Sequence, residues 1–148
     1  SSEESENLEE LPLNRILEDS LSAYYAVLKG CRIVPEVSMP DADVCRRVNR
    51  SALIRIFANI LSNAVKYSDG DLAVTLRDTG ELIFQNHASS LTEVEAGRLF
   101  DRYYTVENAA GSTGLGLSIA RILTERMGGT IDGELEQGVL TIRLCFPA

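Results

Sequence analysis

The segment Ser51–Tyr67 constrains the fold more than any other stretch. Leu53, Phe57, Ile60, Leu61, Ala64 and Val65 recur with a helical period and make a broad apolar face, with Ser51 as the expected N-cap. Such a face has to be covered, here by a sheet. Beside it, Arg55, Asn59 and Asn63 follow one another at i, i+4 and i+8, with Ser62 and Lys66 adjacent. Asparagine is a poor mid-helix residue because its side chain competes for backbone hydrogen bonds. Two of them one turn apart have two readings. Either the stripe is a solvated face, or it offers two neutral oxygens to a hard cation such as Mg²⁺, with Lys66 meeting phosphate as a point charge.

The remaining elements fall around this helix. Leu13, Ile16, Leu17 and Leu21 share one face of a helix expected from about Pro12 to Lys29. Cys31–Val37 and Val44–Val48 read as strands separated by a turn at Met39–Asp41. Leu72–Arg77 and Glu81–Gln85 flank a turn at Asp78–Gly80, a hairpin signal. Asn86–Leu91 reads as a loop, and Thr92 as the cap of a short helix to about Phe100. An irregular stretch then leads to a helix over about Leu115–Met127, stopped at Gly128-Gly129. A last hairpin is expected across Gln137-Gly138. This order predicts one mixed α/β domain from residue 12 to the end, with helices laid on a sheet.

Composition narrows the function. At 148 residues, 45% apolar and 24% charged, the chain is one domain with enough apolar material for a core. The net charge is −8, and the imbalance is local: residues 1–20 hold seven acids and one base. Residues 1–11 therefore read as a polar, fraying lead-in. Val44–Ser68 carries Arg46, Arg47, Arg50, Arg55 and Lys66 and no acid. An acidic chain with one basic stretch is a poor general nucleic-acid binder, but it can hold a small polyanion. No run of 18 apolar residues and no signal peptide are present, so no membrane contact is expected. Cys31, Cys45 and Cys145 match no metal-ligand spacing and are expected as buried, reduced thiols.

Gly111, Gly114 and Gly116 are spaced Gly-x-x-Gly-x-Gly and run into a helix. Glycines let backbone N–H groups approach an anion, and a helix N-terminus adds a favourable dipole. The plain alternative is a flexible connection. His87, the lone histidine, reads as an ordinary loop residue.

Taken together, these residues resemble the ATP-binding catalytic domain of sensor histidine kinases, within the GHKL (Bergerat) ATPase superfamily. Arg55–Ser68 resembles the asparagine box, Leu99–Tyr104 the phenylalanine box, and Gly111–Leu117 the second glycine box, in the family's order. The resemblance implies a Bergerat fold: a two-layer α/β (α+β) sandwich with a mixed sheet of about five strands on about three helices. It implies ATP and Mg²⁺ as cofactors, with Asn63 the main metal ligand and Asn59 its companion. Lys66 and Tyr67 would approach the phosphates or ribose. Asn86, Ala88 and Leu91 would line the adenine side. Phe100 would anchor a lid over about Asp101–Ser112, with Arg102 near the phosphates. Thr113, Gly114, Leu115, Gly116 and Leu117 would form the phosphate-binding start of a helix. Asn59, Asn63 and Lys66 would carry catalysis.

The resemblance also implies partners. The γ-phosphoryl would pass to a histidine on a separate dimerisation domain and then to a response regulator. Residues 1–11 would be the end of that dimerisation helix or a linker. The domain would be cytoplasmic, its parent anchored in a membrane. Asn59 stands where gyrase-type ATPases have a water-activating glutamate, which disfavours independent hydrolysis. The family's adenine-reading Asp-x-Gly-x-Gly box is departed from: Asn86-His87-Ala88-Ser89-Ser90 stands there. Asn86 can accept from adenine, or flip and donate to guanine, so weaker discrimination between ATP and GTP is expected. That departure keeps a second reading open, a pseudokinase-like interaction module with weakened nucleotide binding.

Overall fold

The computed structural model describes residues 7–101 and 116–148. The elements run β1 (Glu9–Pro12), α1 (Leu13–Gly30), β2 (Val34–Ser38), β3 (Cys45–Val48), α2 (Arg50–Tyr67), β4 (Asp71–Leu76), β5 (Glu81–His87), α3 (Glu93–Ala96), α4 (Gly116–Arg126), β6 (Thr130–Glu136) and β7 (Val139–Cys145). Five strands form one sheet in the order β2-β4-β5-β7-β6, parallel between β2 and β4 and antiparallel elsewhere. Strand alternation puts Leu72, Val74 and Leu76, Leu82 and Phe84, and Leu140, Ile142 and Leu144 into the core. There they meet the apolar faces of the helices, with Phe57 of α2 and Phe84 of β5 packed at 6.1 Å between ring centroids. This is the two-layer sandwich expected from the sequence.

The differences are local and have physical causes. Glu9–Pro12, inside the stretch expected to fray, pairs antiparallel with β3, Glu9 opposite Val48 and Pro12 opposite Cys45. Helix α2 starts two residues earlier than a Ser51 cap implies, and its cap is Asn49, whose side-chain oxygen accepts from the Ala52 amide at 2.9 Å. Asparagine and serine cap equally well, and Asn49 sits three residues before an orphan N–H. Strand β2 begins at Val34 because Arg32, at φ 59°, turns the chain out of α1 and leaves Cys31 exposed rather than buried. Thr92 forms the expected cap as a full capping box with Glu95, but α3 closes after one turn. The final hairpin turns on Gln137 (φ 50°) and Gly138 (φ 79°), both left-handed as a two-residue hairpin loop requires.

Two contacts set how α2 lies on the sheet. Phe57 and Phe84 meet midway along α2 and β5. Beyond the end of α2, the Asp69 amide donates to the His87 carbonyl at 2.8 Å. Helix and strand therefore run in the same direction and finish together, which brings the last turns of α2 over the last residues of β5.

Candidate nucleotide site

The polar stripe of α2 is partly buried, so the solvated-face reading fails for Asn63. Asn63 is 7% exposed, and its side-chain nitrogen has no hydrogen-bond partner among the described residues. A buried unsatisfied donor costs about 1–3 kcal/mol, which an apo fold tolerates where a ligand belongs. Lys66, in the last turn of α2, is half-buried, and burial lowers its pKa from the ordinary value of 10.5. No acid is in ion-pairing distance of it among the described residues. Tyr67 is buried behind it.

Asn59 is tied down. Its side-chain nitrogen donates to the carbonyl of Gly116 at 2.9 Å, joining the stripe to the first residue of α4. Helix α4 packs on α2 and contributes Leu117, Ala120 and Leu123 to the core, with Met127 just beyond its end. A Cβ built on Gly116 would meet nothing within 4 Å among the described residues, and its φ is not left-handed. Neither the fold nor the turn therefore requires glycine there, and the space in front of it is open to a ligand. Asn59 thus ties the start of α4, where the helix leaves its first N–H groups free, to the α2 stripe. Arg102, Thr113, Gly114 and Leu115, and the expected lid beyond Asp101, lie outside the described residues.

At the other side of the stripe the strand β5 continues to His87, so Asn86 lies in the sheet rather than in a loop. Alternation places Asn86 on the same face as Leu82 and Phe84, toward α2, at 4% exposure. Its side-chain nitrogen donates to the His87 carbonyl at 3.1 Å. Only the NH₂ side of an amide can face a carbonyl, so the oxygen is the group left to accept. The flip toward guanine expected from the sequence is thereby opposed. Ala88 is fully buried, and its amide donates to the Gly138 carbonyl at 2.8 Å. Leu91 is buried as well and donates to the Ala88 carbonyl at 3.1 Å.

Two acids just past the end of α2, Asp69 and Asp71, organise this end. The Asp69 carboxylate accepts from the Ser89 amide at 3.0 Å and the Ser89 hydroxyl at 2.8 Å. The Asp71 carboxylate accepts from the His87 amide at 2.9 Å and pairs with His87 Nδ1 at 2.8 Å. The bond to Asp71, and the charge behind it, raise the His87 pKa above 6.5. Partial burial pushes Asp71 up, but hydrogen bonds from the His87 ring and amide outweigh it and bring the carboxyl below 3.8. Two acids flanking a glycine just after a helix were the available signal.

Phe100 is placed toward the α4–β6 side. Its ring lies under the Arg121 guanidinium at 5.1 Å and against Gly133, where a Cβ would come within 3.1 Å of the ring. Gly133 thus makes room for Phe100, a dependence no local pattern reveals.

Residues 48–148 match the family described as histidine kinase-, DNA gyrase B-, and HSP90-like ATPases. The chain belongs to this family. Among curated relatives, the sensor histidine kinase YcbM of Bacillus subtilis is 30% identical over 136 residues, which cover 80% of this chain and 41% of YcbM. The sensor histidine kinase WalK of the same organism is 30% identical over 112 residues, covering 68% of this chain and 18% of WalK. The chain therefore spans less than half the length of these relatives. The catalytic domain of histidine kinase ThkA superposes with a TM-score of 0.82 at 20% identity, covering 95% of this chain and 97% of that one, a likeness of fold. Family membership implies ATP binding. Among the described residues no helix is long and apolar enough to cross a membrane.

Proposed function

We propose that this chain is the ATP-binding catalytic part of a sensor histidine kinase, which holds Mg·ATP and gives the γ-phosphoryl to a histidine on a separate dimerisation domain. The observation that carries the reading is the unmet polarity of the α2 stripe: among the described residues, the buried Asn63 side-chain nitrogen, a donor suited to a phosphate oxygen, has no partner, and the half-buried Lys66 has no counter-ion. They share the stripe with Asn59, which holds a helix start whose leading glycine meets nothing within 4 Å among the described residues. These residues fit the group. Asn63 and Asn59 offer neutral oxygens of the kind Mg²⁺ takes in small number beside phosphate. Lys66 supplies the positive charge, and α4 supplies backbone donors.

Bound Mg·ATP supplies the phosphoryl group and shields its charge, and the protein's share is positioning and electrostatics. Asn63 orients the metal side of the triphosphate. Lys66 draws negative charge toward the end of α2. Asn86 accepts from the base through its oxygen. Asn59 is no base for water, so the acceptor is a histidine supplied in trans rather than solvent. The relatives named as sensor histidine kinases support this choice within the family. The partners follow: a helical dimerisation domain bearing the histidine, with residues 1–11 as its end or the linker from it, and then a response regulator. The domain would work in the cytoplasm beneath a membrane-anchored parent. The interaction-module alternative is not favoured, because a scaffold gains nothing from an unsatisfied buried amide beside an unpaired ammonium.

The test is incubation with γ-labelled ATP and Mg²⁺, with and without a histidine-bearing dimerisation domain from a relative such as YcbM. Acid-labile label is expected on the added domain and not on this chain. Label retained on the isolated chain, or steady hydrolysis at about 1 s⁻¹ or faster, would overturn the proposal.

A further inference from the structure

We infer that Asn59 is a positioning residue that acts through its side-chain nitrogen, latching the start of α4 to α2, rather than through its oxygen as a metal ligand. The inference rests on the nucleotide reading above and assigns one of its residues a different task.

The geometry is a single hydrogen bond between elements far apart in sequence: Asn59 Nδ2 to the Gly116 carbonyl, 2.9 Å. Around it, buried apolar side chains of α4, Leu117, Ala120 and Leu123, join the same core as the apolar face of α2. Apolar contact is non-directional and leaves two helices free to slide and rotate by small amounts. A directed bond from a half-buried amide removes that freedom. It does so where α4 is weakest, at a leading glycine that loses more conformational entropy on ordering than any other residue. Helical spacing puts the Ala120 amide on the same Gly116 carbonyl, so the latch shares an acceptor with the first intrahelical bond of α4. Asn63 lies one turn further along α2. Fixing Gly116 against Asn59 therefore fixes the free N–H groups of α4 relative to Asn63 before any nucleotide arrives. In a reaction that depends on positioning, that pre-set spacing contributes to binding the phosphates.

Asparagine and aspartate separate the two tasks. Asp keeps the oxygens and is the better cation ligand, but it cannot donate to a carbonyl. Three versions of the chain are compared: unmodified, Asn59→Asp and Asn59→Ala. In the nucleotide-free chain, hydrogen exchange at the Ala120 amide should be about three- to tenfold faster in both variants, with exchange at Ile60 and Leu61 unchanged. Affinity for Mg·AMP-PNP should fall about equally in both, by roughly tenfold, while affinity for adenosine, which has no phosphate to meet α4, should stay the same. Aspartate that binds Mg·AMP-PNP as tightly as the unmodified chain, with alanine weakened, would show that Asn59 works through its oxygen and would overturn the latch. So would unchanged Ala120 exchange in both variants. If the unmodified chain itself does not bind Mg·AMP-PNP, the nucleotide reading fails, and the exchange data still decide the latch.

Discussion

The two ends of the site differ in how far the protein satisfies its own polar groups. On the α2–α4 side, among the described residues, Asn63 has a buried donor without a partner, Lys66 has no counter-ion, and nothing lies within 4 Å in front of Gly116. On the β5 side nearly every polar group is already matched. The nitrogen of Asn86 is on the His87 carbonyl, His87 is on Asp71, Ser89 is on Asp69, and the Ala88 amide is on Gly138. An unmet buried group is a cost that a ligand relieves, whereas a satisfied one gives a ligand little to gain. The phosphate end should therefore supply most of the affinity, and the base end a modest preference through one open acceptor.

The largest expected effect is at Asn63. Asn63→Ala should weaken Mg·ATP binding by roughly 10- to 150-fold, the range for losing a contact to a charged group. The melting temperature should hold or rise, since the substitution removes an unsatisfied donor and alanine is the better helix former. Calorimetric titration and a thermal melt check both. A large fall in stability with unchanged affinity would place Asn63 among core residues and erase the contrast between the ends.

A smaller effect is expected at Asn86. With its nitrogen held by His87, it presents only an oxygen, so the unmodified chain should prefer ATP over GTP by about tenfold, because guanine sets an acceptor against an acceptor. Asn86→Ala should bring the two dissociation constants together and weaken ATP by about fivefold, near the worth of one neutral hydrogen bond. Equal affinities in the unmodified chain would mean the amide flips, as the sequence alone allowed.

These predictions separate what the sequence disclosed from what it did not. The stripe of α2 was legible because a helix puts residues four apart on one face, and the glycine run because it has its own spacing. The departure at Asn86 was legible only against a family pattern, and its orientation was not, since that depends on a neighbouring carbonyl. Asp69 and Asp71 carry no local signal of their role because their partners, Ser89 and His87, are 16 to 20 residues away. Gly133 read as an unremarked strand residue because Phe100 comes to it from another element. The β1–β3 ribbon was missed because Glu9 and Glu10 look like solvated charge, and only pairing with β3 makes them a strand.

The smallest expected effect concerns the clamp on the base end. The pKa of His87 is raised, so its share of stability is full below the ordinary value of 6.5 and is lost as pH rises through the raised value. The pKa of Asp71 is lowered, so its share is present above the ordinary 3.8 and is lost as pH falls through the lowered value. The pair therefore holds the loop most firmly between those limits. Proton NMR of the His87 ring should give a midpoint above 6.5, returning toward 6.5 in Asp71→Asn. An unshifted midpoint in the unmodified chain would show that the base end is less firmly tied than its geometry implies.

The central claim is that the unmet polarity between α2 and α4 is a site for Mg·ATP. Titration calorimetry of the unmodified chain with Mg·AMP-PNP, repeated with the metal chelated, tests it most directly. The account predicts saturable binding of one nucleotide per chain that weakens sharply when Mg²⁺ is removed. Absence of binding at millimolar nucleotide, or binding indifferent to Mg²⁺ and to Asn63→Ala, would contradict it.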